Sequence, residues 1–379
     1  MSDSKVKRLG GLPETEEGDS DFLRARRRRV LILSALPFVL VASFVVSLLV
    51  GALGPIGPGL PIGPDGGNVR MSFGDALGAL LGHEGDWPAD YGTIFWDVRI
   101  PRAILAGLVG ACLACSGTAM QAVFRNPMAD PFIVGVSSGA SLGAVVASLS
   151  GLAGIAVIGT MLSPTLAFLA ALMTVFLVYS MGSVRGRVYV DTLLLSGVAV
   201  AAFLGAIVSF LIYFAGQEYH RIIFWLLGSL SLATWGSVAV LAVAVGIGTV
   251  CVFLYSRDLN ALLLGEETAH NLGANPEALK TLMLVMAAVM ASAAVAFTGV
   301  IGFVGLIVPH MVRLVVGADH RILVPSATLT GAIFLIWADT IARTVISPIE
   351  LPVGIITALC GGPFFLYLLR RTRSRGEPA

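Results

Sequence analysis

Long apolar runs recur along the whole chain, near residues 30–52, 100–123, 132–157, 163–182, 192–215, 237–256, 279–299, 300–317, 322–346 and 352–369, and they constrain its fold more than any other feature. A helix that crosses a bilayer needs roughly 20 mostly apolar residues. In hydrocarbon no water is present to bond exposed N–H and C=O groups, so each run must satisfy its own backbone as a helix. The expected fold is an all-α integral membrane protein of about ten transmembrane helices. Composition excludes a soluble domain. Only 12% of the residues are charged and 56% are hydrophobic, where soluble domains carry about 25% charge.

Basic residues orient the spans. Arg24, Arg26, Arg27, Arg28 and Arg29 precede the first run, and Arg370, Arg371, Arg373 and Arg375 follow the last. The positive-inside rule places both termini in the cytoplasm. With ten crossings, Arg125, Arg185, Arg187, Arg257 and Arg321 also fall on cytoplasmic turns, while the loops after the third and seventh runs carry no basic residue. The first run exceeds the roughly 7–15 apolar residues of a secretory signal, so it reads as a retained span. Residues 1–23, with Gly10, Gly11, Pro13, Glu14, Glu16 and Glu17, read as a disordered cytoplasmic tail, and 24–379 as one transmembrane domain. The Gly- and Pro-rich segment 53–98 is expected outside, with one amphipathic stretch from Met71 to Leu81. Ile222 to Trp235 is too short to span and reads as an external hairpin helix.

Chemistry-bearing residues are few. Cys112 and Cys115 have C-x-x-C spacing, a redox or metal signature in soluble proteins. Inside an Ala- and Gly-rich lipid-embedded run they read as small packing residues. No two of the five histidines have helical ligand spacing, so no metal site on the protein is expected. His83, Tyr91, Tyr219 and His220 are placed at the outer mouth, as cargo contacts or as docking surface. The only lysines are Lys5, Lys7 and Lys280, and none stands in a phosphate-loop context. An ion-coupled carrier would hold ionisable groups within its spans. The candidates here are Asp130, Asp191 and Asp339, and Asp339 is expected to pair with Arg343 one helical turn away. The energy source is therefore expected on another chain. Leu264 to Pro276, a polar helix-forming block between two apolar runs, is its natural docking surface. Gly265 and Gly273 permit sharp turns, Glu266, Glu267 and Thr268 favour a first helical turn, and Ala269 and Leu272 offer an apolar ridge.

Six segments then carry a family resemblance: Arg99-Ile100-Pro101-Arg102, the run from Gln121 to Pro131, Gly135 to Ala140, Leu264-Gly265-Glu266, Gly302 to His310, and Leu351 to Gly354. In this order, over about residues 30–370, they resemble the FecCD family of permeases. These are subunits of type II ABC importers for vitamin B12, haem and ferric siderophores. The resemblance implies ten helices with an inverted repeat, a homodimer with its path on the two-fold axis, and residence in the bacterial plasma membrane. It implies two ATP-binding subunits that hold the ATP and Mg, leaving this chain without cofactor, nucleic-acid partner or enzymatic activity. It also implies an external binding protein and a bulky cargo, with an iron complex ahead of cobalamin on family frequency.

Residue by residue, Gly265 to Gly273 correspond to the coupling helix seated in the ATPase. Arg99, Arg102 and Arg343 correspond to arginines that receive the binding protein, or else anchor helix ends at the interface. Tyr189, Val190 and Asp191 correspond to the cytoplasmic gate, with N-terminal capping as the alternative for Asp191. Gly197, Ala201 and Gly205 are expected along the path. Against this stand an ion-coupled carrier, which would need Asp130, Asp191 or Asp339, and a structural membrane subunit, which would need none of these groups.

Overall fold

The computed structural model describes residues 15–50, 92–151, 156–346 and 349–374, with the isolated positions 74 and 78. Residues 1–14, His83 and Tyr91 lie outside the described residues, as does the expected external helix at 71–81 apart from those two positions. In chain order the elements are α1 (Thr15–Leu49), α2 (Ile100–Val123), α3 (Val136–Leu149), α4 (Ala156–Gly182), the strands β1 (Ser183–Val184) and β2 (Arg187–Val188), α5 (Val190–Tyr213), α6 (Tyr219–Leu226) and α7 (Trp235–Leu254). They continue with α8 (Ser256–Leu263), α9 (Glu266–Asn271), α10 (Pro276–Thr298), α11 (Val304–Val316), α12 (His320–Thr344) and α13 (Val353–Ser374).

Among the described residues, seven helical segments are long and apolar enough to cross a membrane, and the shorter apolar helices Val136–Leu149, Val304–Val316 and Val353–Leu368 take up the remaining runs. Every apolar run of the sequence thus becomes one helix of a multi-pass membrane protein. Two boundaries differ from expectation. Helix α1 starts at Thr15, inside the segment read as a disordered tail. The external helix expected at 222–235 forms over Tyr219–Leu226 instead. The chain then runs to a capping box that starts α7, in which Thr234 Oγ1 accepts from Ser237 N at 3.2 Å and Ser237 Oγ accepts from Thr234 N at 3.0 Å.

Helix α2 is the hub. All of its residues but Ile104 and Leu108 are buried, and α7, α10, α11 and α12 pack around it. Burial on all sides is tolerated because the helix is built from small residues. A Cβ on Gly110 would collide with the Gly331 carbonyl of α12, and one on Gly117 with the Gly305 carbonyl of α11. Small residues at such crossings let backbones meet, which is the main source of helix cohesion where lipid is as apolar as the protein. Cys112 and Cys115 are fully buried in the same helix. Its hydroxyls bond their own backbone, Ser116 Oγ to Cys112 O at 2.6 Å and Thr118 Oγ1 to Ala114 O at 2.8 Å, so they cost no unpaired donor.

The halves of the bundle correspond. Helix α2 is followed by an irregular break and the 14-residue α3, and α10 by a break and the 13-residue α11. Each short helix is entered through a left-handed residue, Gly135 at φ 87° and Phe303 at φ 69°.

Gly110→Val is expected to destabilise the fold by about 3 kcal/mol, since neither facing backbone can withdraw. Gly205→Ala, where a Cβ meets open space, leaves stability unchanged or raises it. Thermal unfolding of the two variants in detergent compares them directly.

Candidate functional site

Charge collects at both ends of α2. At its start Arg102 is 8% exposed and faces Asp339 of α12, which is 1% exposed. Arg102 Nε and Nη2 donate to Asp339 Oδ1 at 3.1 and 2.9 Å, and its Nη1 donates to Glu350 Oε2 at 2.7 Å. Arg343 Nε lies 3.0 Å from Asp339 Oδ2. The expected Asp339–Arg343 pair therefore forms, but Arg102 and Glu350 complete it. No spacing rule links positions so far apart in the chain, so the sequence carried no signal for either. A buried carboxylate is tolerated only when paired this fully.

The remaining donors hold α1. Arg343 Nη2 donates to Ser47 O at 3.2 Å, and Arg99 Nη1 donates to Leu48 O at 2.8 Å. Cations at a helix C-terminus satisfy carbonyls that have no partner within the helix. The three arginines expected to receive a binding protein do gather at one end. Each is nonetheless engaged inside the chain, and the accessible member of the cluster is Glu350, with a side chain 47% exposed.

At the other end, the turn between α4 and α5 is a strand hairpin, a feature the sequence reading did not anticipate. Ser183 pairs with Val188 and Val184 with Arg187, and the turn residues Arg185 and Gly186 both have positive φ, 52° and 79°. That is the geometry two-residue hairpins require, and the Gly at the second position was its signal. The hairpin borders a polar recess of about 430 Å³ lined by Arg125, Tyr189, Val190, Asp191, Glu266, Glu277 and Lys280, among others. The residues expected to form a gate, Tyr189, Val190 and Asp191, thus share one recess with Glu266 of the expected coupling block. Asp191 sits in the first turn of α5, whose N-cap is Tyr189, so it complements the helix dipole without capping.

The expected coupling block, Leu264 to Pro276, follows the short helix α8 and contains α9, the two helices being joined through Gly265 at φ 115°. Beyond α9, Gly273 turns the chain at φ 89°, and Asn275 Oδ1 caps α10 by accepting from Ala278 N at 3.2 Å. The apolar ridge differs from expectation. Ala269 is fully buried against the chain itself, because the first turn of α9 is drawn inward at Glu266; Leu272, 66% exposed, stands out as expected, and Leu264, 69% exposed, takes the place of Ala269 beside exposed Glu267. Helix α8 is tied to the start of α12. Asn260 Nδ2 donates to Asp319 Oδ1 at 2.7 Å, and Asn260 Oδ1 accepts from His320 N at 2.9 Å. Burial alone would raise the Asp319 pKa, but the Asn260 and Arg321 N–H bonds and the neighbouring positive charge hold it below the ordinary carboxylate value.

The residues expected along the path divide. On α5 a face including Leu195, Val198, Phe203 and Phe210 is open, each more than half exposed. Gly205 borders open space and Ala201 is half-buried. Gly197 departs from expectation: it is buried against the Ile133 carbonyl, where a Cβ would not fit. It serves close packing rather than the open face.

Comparison with known proteins places this geometry. Residues 66–371 match the profile of the FecCD transport family. The chain belongs to the FecCD transport family. It is 51% identical over 278 residues, 73% of each chain, to the cobalamin import system permease protein BtuC of Halobacterium salinarum. It is 41% identical over 322 residues to the hemin transport system permease protein HmuU of Yersinia pestis, covering 81% of this chain and 94% of that one. A solved structure described as an inward-facing ABC transporter of metal-chelate type superposes with a TM-score of 0.73 at 31% identity, over 90% of this chain and 99% of the other. The FecCD chain accordingly has the type II ABC importer permease fold and is a transport subunit.

Asp339→Leu would remove the carboxylate that Arg102 and Arg343 share and is expected to cost about 3–5 kcal/mol of stability. The double variant Arg102→Met/Asp339→Leu should lose less than Asp339→Leu alone, and a double-mutant cycle on thermal unfolding reads the difference.

Proposed function

We propose that this chain is the path-forming subunit of an ATP-driven importer, acting as a homodimer in the plasma membrane with both termini in the cytoplasm. Two separate ATPase subunits, which hold the ATP and Mg, dock on α8 and α9, and an external binding protein delivers the cargo. The observation that carries the reading is the shared recess. Glu266, the first residue of the exposed short helix α9, stands beside Tyr189, Val190 and Asp191 at the entrance of α5. A partner that moves α9 therefore acts where the path can close. The open apolar face of α5 suits a second copy, since Leu195 is 73% and Phe203 67% exposed in the single chain.

At the outer end, docking through Arg99, Arg102 and Arg343 proceeds by exchange: an acidic residue of the binding protein replaces Glu350 on Arg102. Such a pair orients the encounter more than it holds the complex.

The cargo we propose is a metal–tetrapyrrole. Relatives are named for cobalamin and for hemin, both of that class, and the 51% identity to the one named for cobalamin against 41% to the one named for hemin supports cobalamin as the first cargo to test.

Reconstitution in liposomes with the ATPase and binding protein tests this by comparing uptake of cobalamin, haem and a ferric siderophore. ATP-dependent uptake of cobalamin is expected. Leu264→Asp/Leu272→Asp should lower both ATPase co-purification and uptake by at least about tenfold, as loss of interface anchors does. Uptake driven by a proton or sodium gradient without ATP would sink the importer reading.

A further inference from the structure

Lys280, in the first turns of α10, is 1% exposed and has no place in the family signatures or in the site residues expected from sequence. Its ammonium lies 2.7 Å from Glu277 Oε1, 3.2 Å from Glu266 Oε1 and 3.4 Å from Val188 O. The ammonium donates to Glu277 and Val188 and makes a second ion pair with Glu266, so the buried charge is met on three sides. These acceptors come from three different elements: α10 itself, the first residue of α9, and strand β2 of the hairpin.

The hairpin is held twice. Glu277 Oε2 accepts from Val188 N at 2.8 Å while Lys280 donates to Val188 O. Both backbone groups of Val188 are thus bound to one carboxylate–ammonium pair, and Val190, two residues on, begins α5. Arg125 Nη2, at 3.8 Å from Glu266 Oε1, is the only other cation the described residues place on this carboxylate. It is exposed, with a side chain 47% accessible, so water screens it where Lys280 is shielded.

We propose that Lys280 is the positioning residue that transmits displacement of α9 to the hairpin and so to the start of α5. The inference rests on the ATPase-coupling role proposed above for α9. If α9 moves, Glu266 moves with it, and Lys280 either follows or is left buried with one carboxylate fewer. An under-paired buried cation is strongly unfavourable. In both cases the atoms that hold Val188 shift, because the same ammonium serves Glu266 and Val188. The connection is physical and short, whereas Glu266 and Val188 are far apart in the chain.

The test uses the full chain assembled with its ATPase, spin-labelled at one of two pairs and diluted with unlabelled chain. Both pairs share a reference at Leu232→Cys, which is 83% exposed at the opposite end of the bundle. One adds Arg185→Cys at the hairpin tip and the other Asn271→Cys on α9. Cys251 and Cys360 are replaced by Ser, while Cys112 and Cys115 are fully buried and stay unlabelled. Pulsed electron resonance distances are compared with and without ATP and vanadate.

In the otherwise unaltered chain both pairs should shift. In Lys280→Met the α9 pair should still shift and the hairpin pair should not, with cargo moved per ATP falling by about tenfold, within the usual range of coupling between sites. A hairpin shift that persists in Lys280→Met, or is absent without it, overturns the proposal. An α9 pair that never responds to ATP instead refutes the coupling role on which it rests. Should Lys280→Met fail to assemble, Glu266→Gln keeps shape and hydrogen bonding while removing the charge, and the same split is read there. A merely structural lysine would lower thermal stability and leave the hairpin response intact.

Discussion

Everything in this bundle leans on the close approach of backbones around α2. That helix is buried almost end to end, and its neighbours reach it because Gly110 meets Gly331 and Gly117 meets Gly305 with no side chain between. In water the hydrophobic effect would drive such contacts. In lipid it does not, and dispersion between well-fitted surfaces must supply the cohesion. Small residues at the crossings are therefore the condition for the fold, and the absence of bulk along α2 is a structural choice with a thermodynamic cause.

The same helix sets out the charges. Its start carries Arg102 into the Asp339–Arg343–Glu350 cluster, and just past its end Arg125 reaches toward Glu266. Both clusters knit together segments distant in sequence. The cluster at the start of α2 ties α1, α2 and α12 and fixes where α1 ends. The cluster beyond its end ties α9, α10 and the hairpin. Buried ion pairs contribute little net stability compared with apolar packing, but breaking one is costly. They therefore specify which helix ends stay together, and they make any movement of those ends concerted.

Much of the site was legible early. The block around Gly265 and Glu266 was visible because polar helix formers between two membrane runs are unusual, and the Asp339–Arg343 pair because residues one turn apart on a helix face each other. What escaped was what depends on orientation. Ala269 was expected outward and lies inward, since a six-residue helix has too few turns for its apolar periodicity to declare a face. Gly197 was expected on the path and packs against Ile133, because a glycine in a span looks the same whether it borders a cavity or a neighbouring backbone. Lys280 read only as a lysine without a phosphate loop.

The sequence by itself determined the solvent, the placing of the apolar helices and the family, because those follow from local runs of apolar residues and from short motifs whose meaning does not depend on distant parts of the chain. Only the tertiary structure decided that Arg102 completes a buried cluster with Asp339, and that Val188 and Glu266 both meet the ammonium of Lys280. Those contacts join positions from separate helices. Which of many possible carboxylates meets a given cation is settled by how the helices cross, and the crossings are set by small residues acting together.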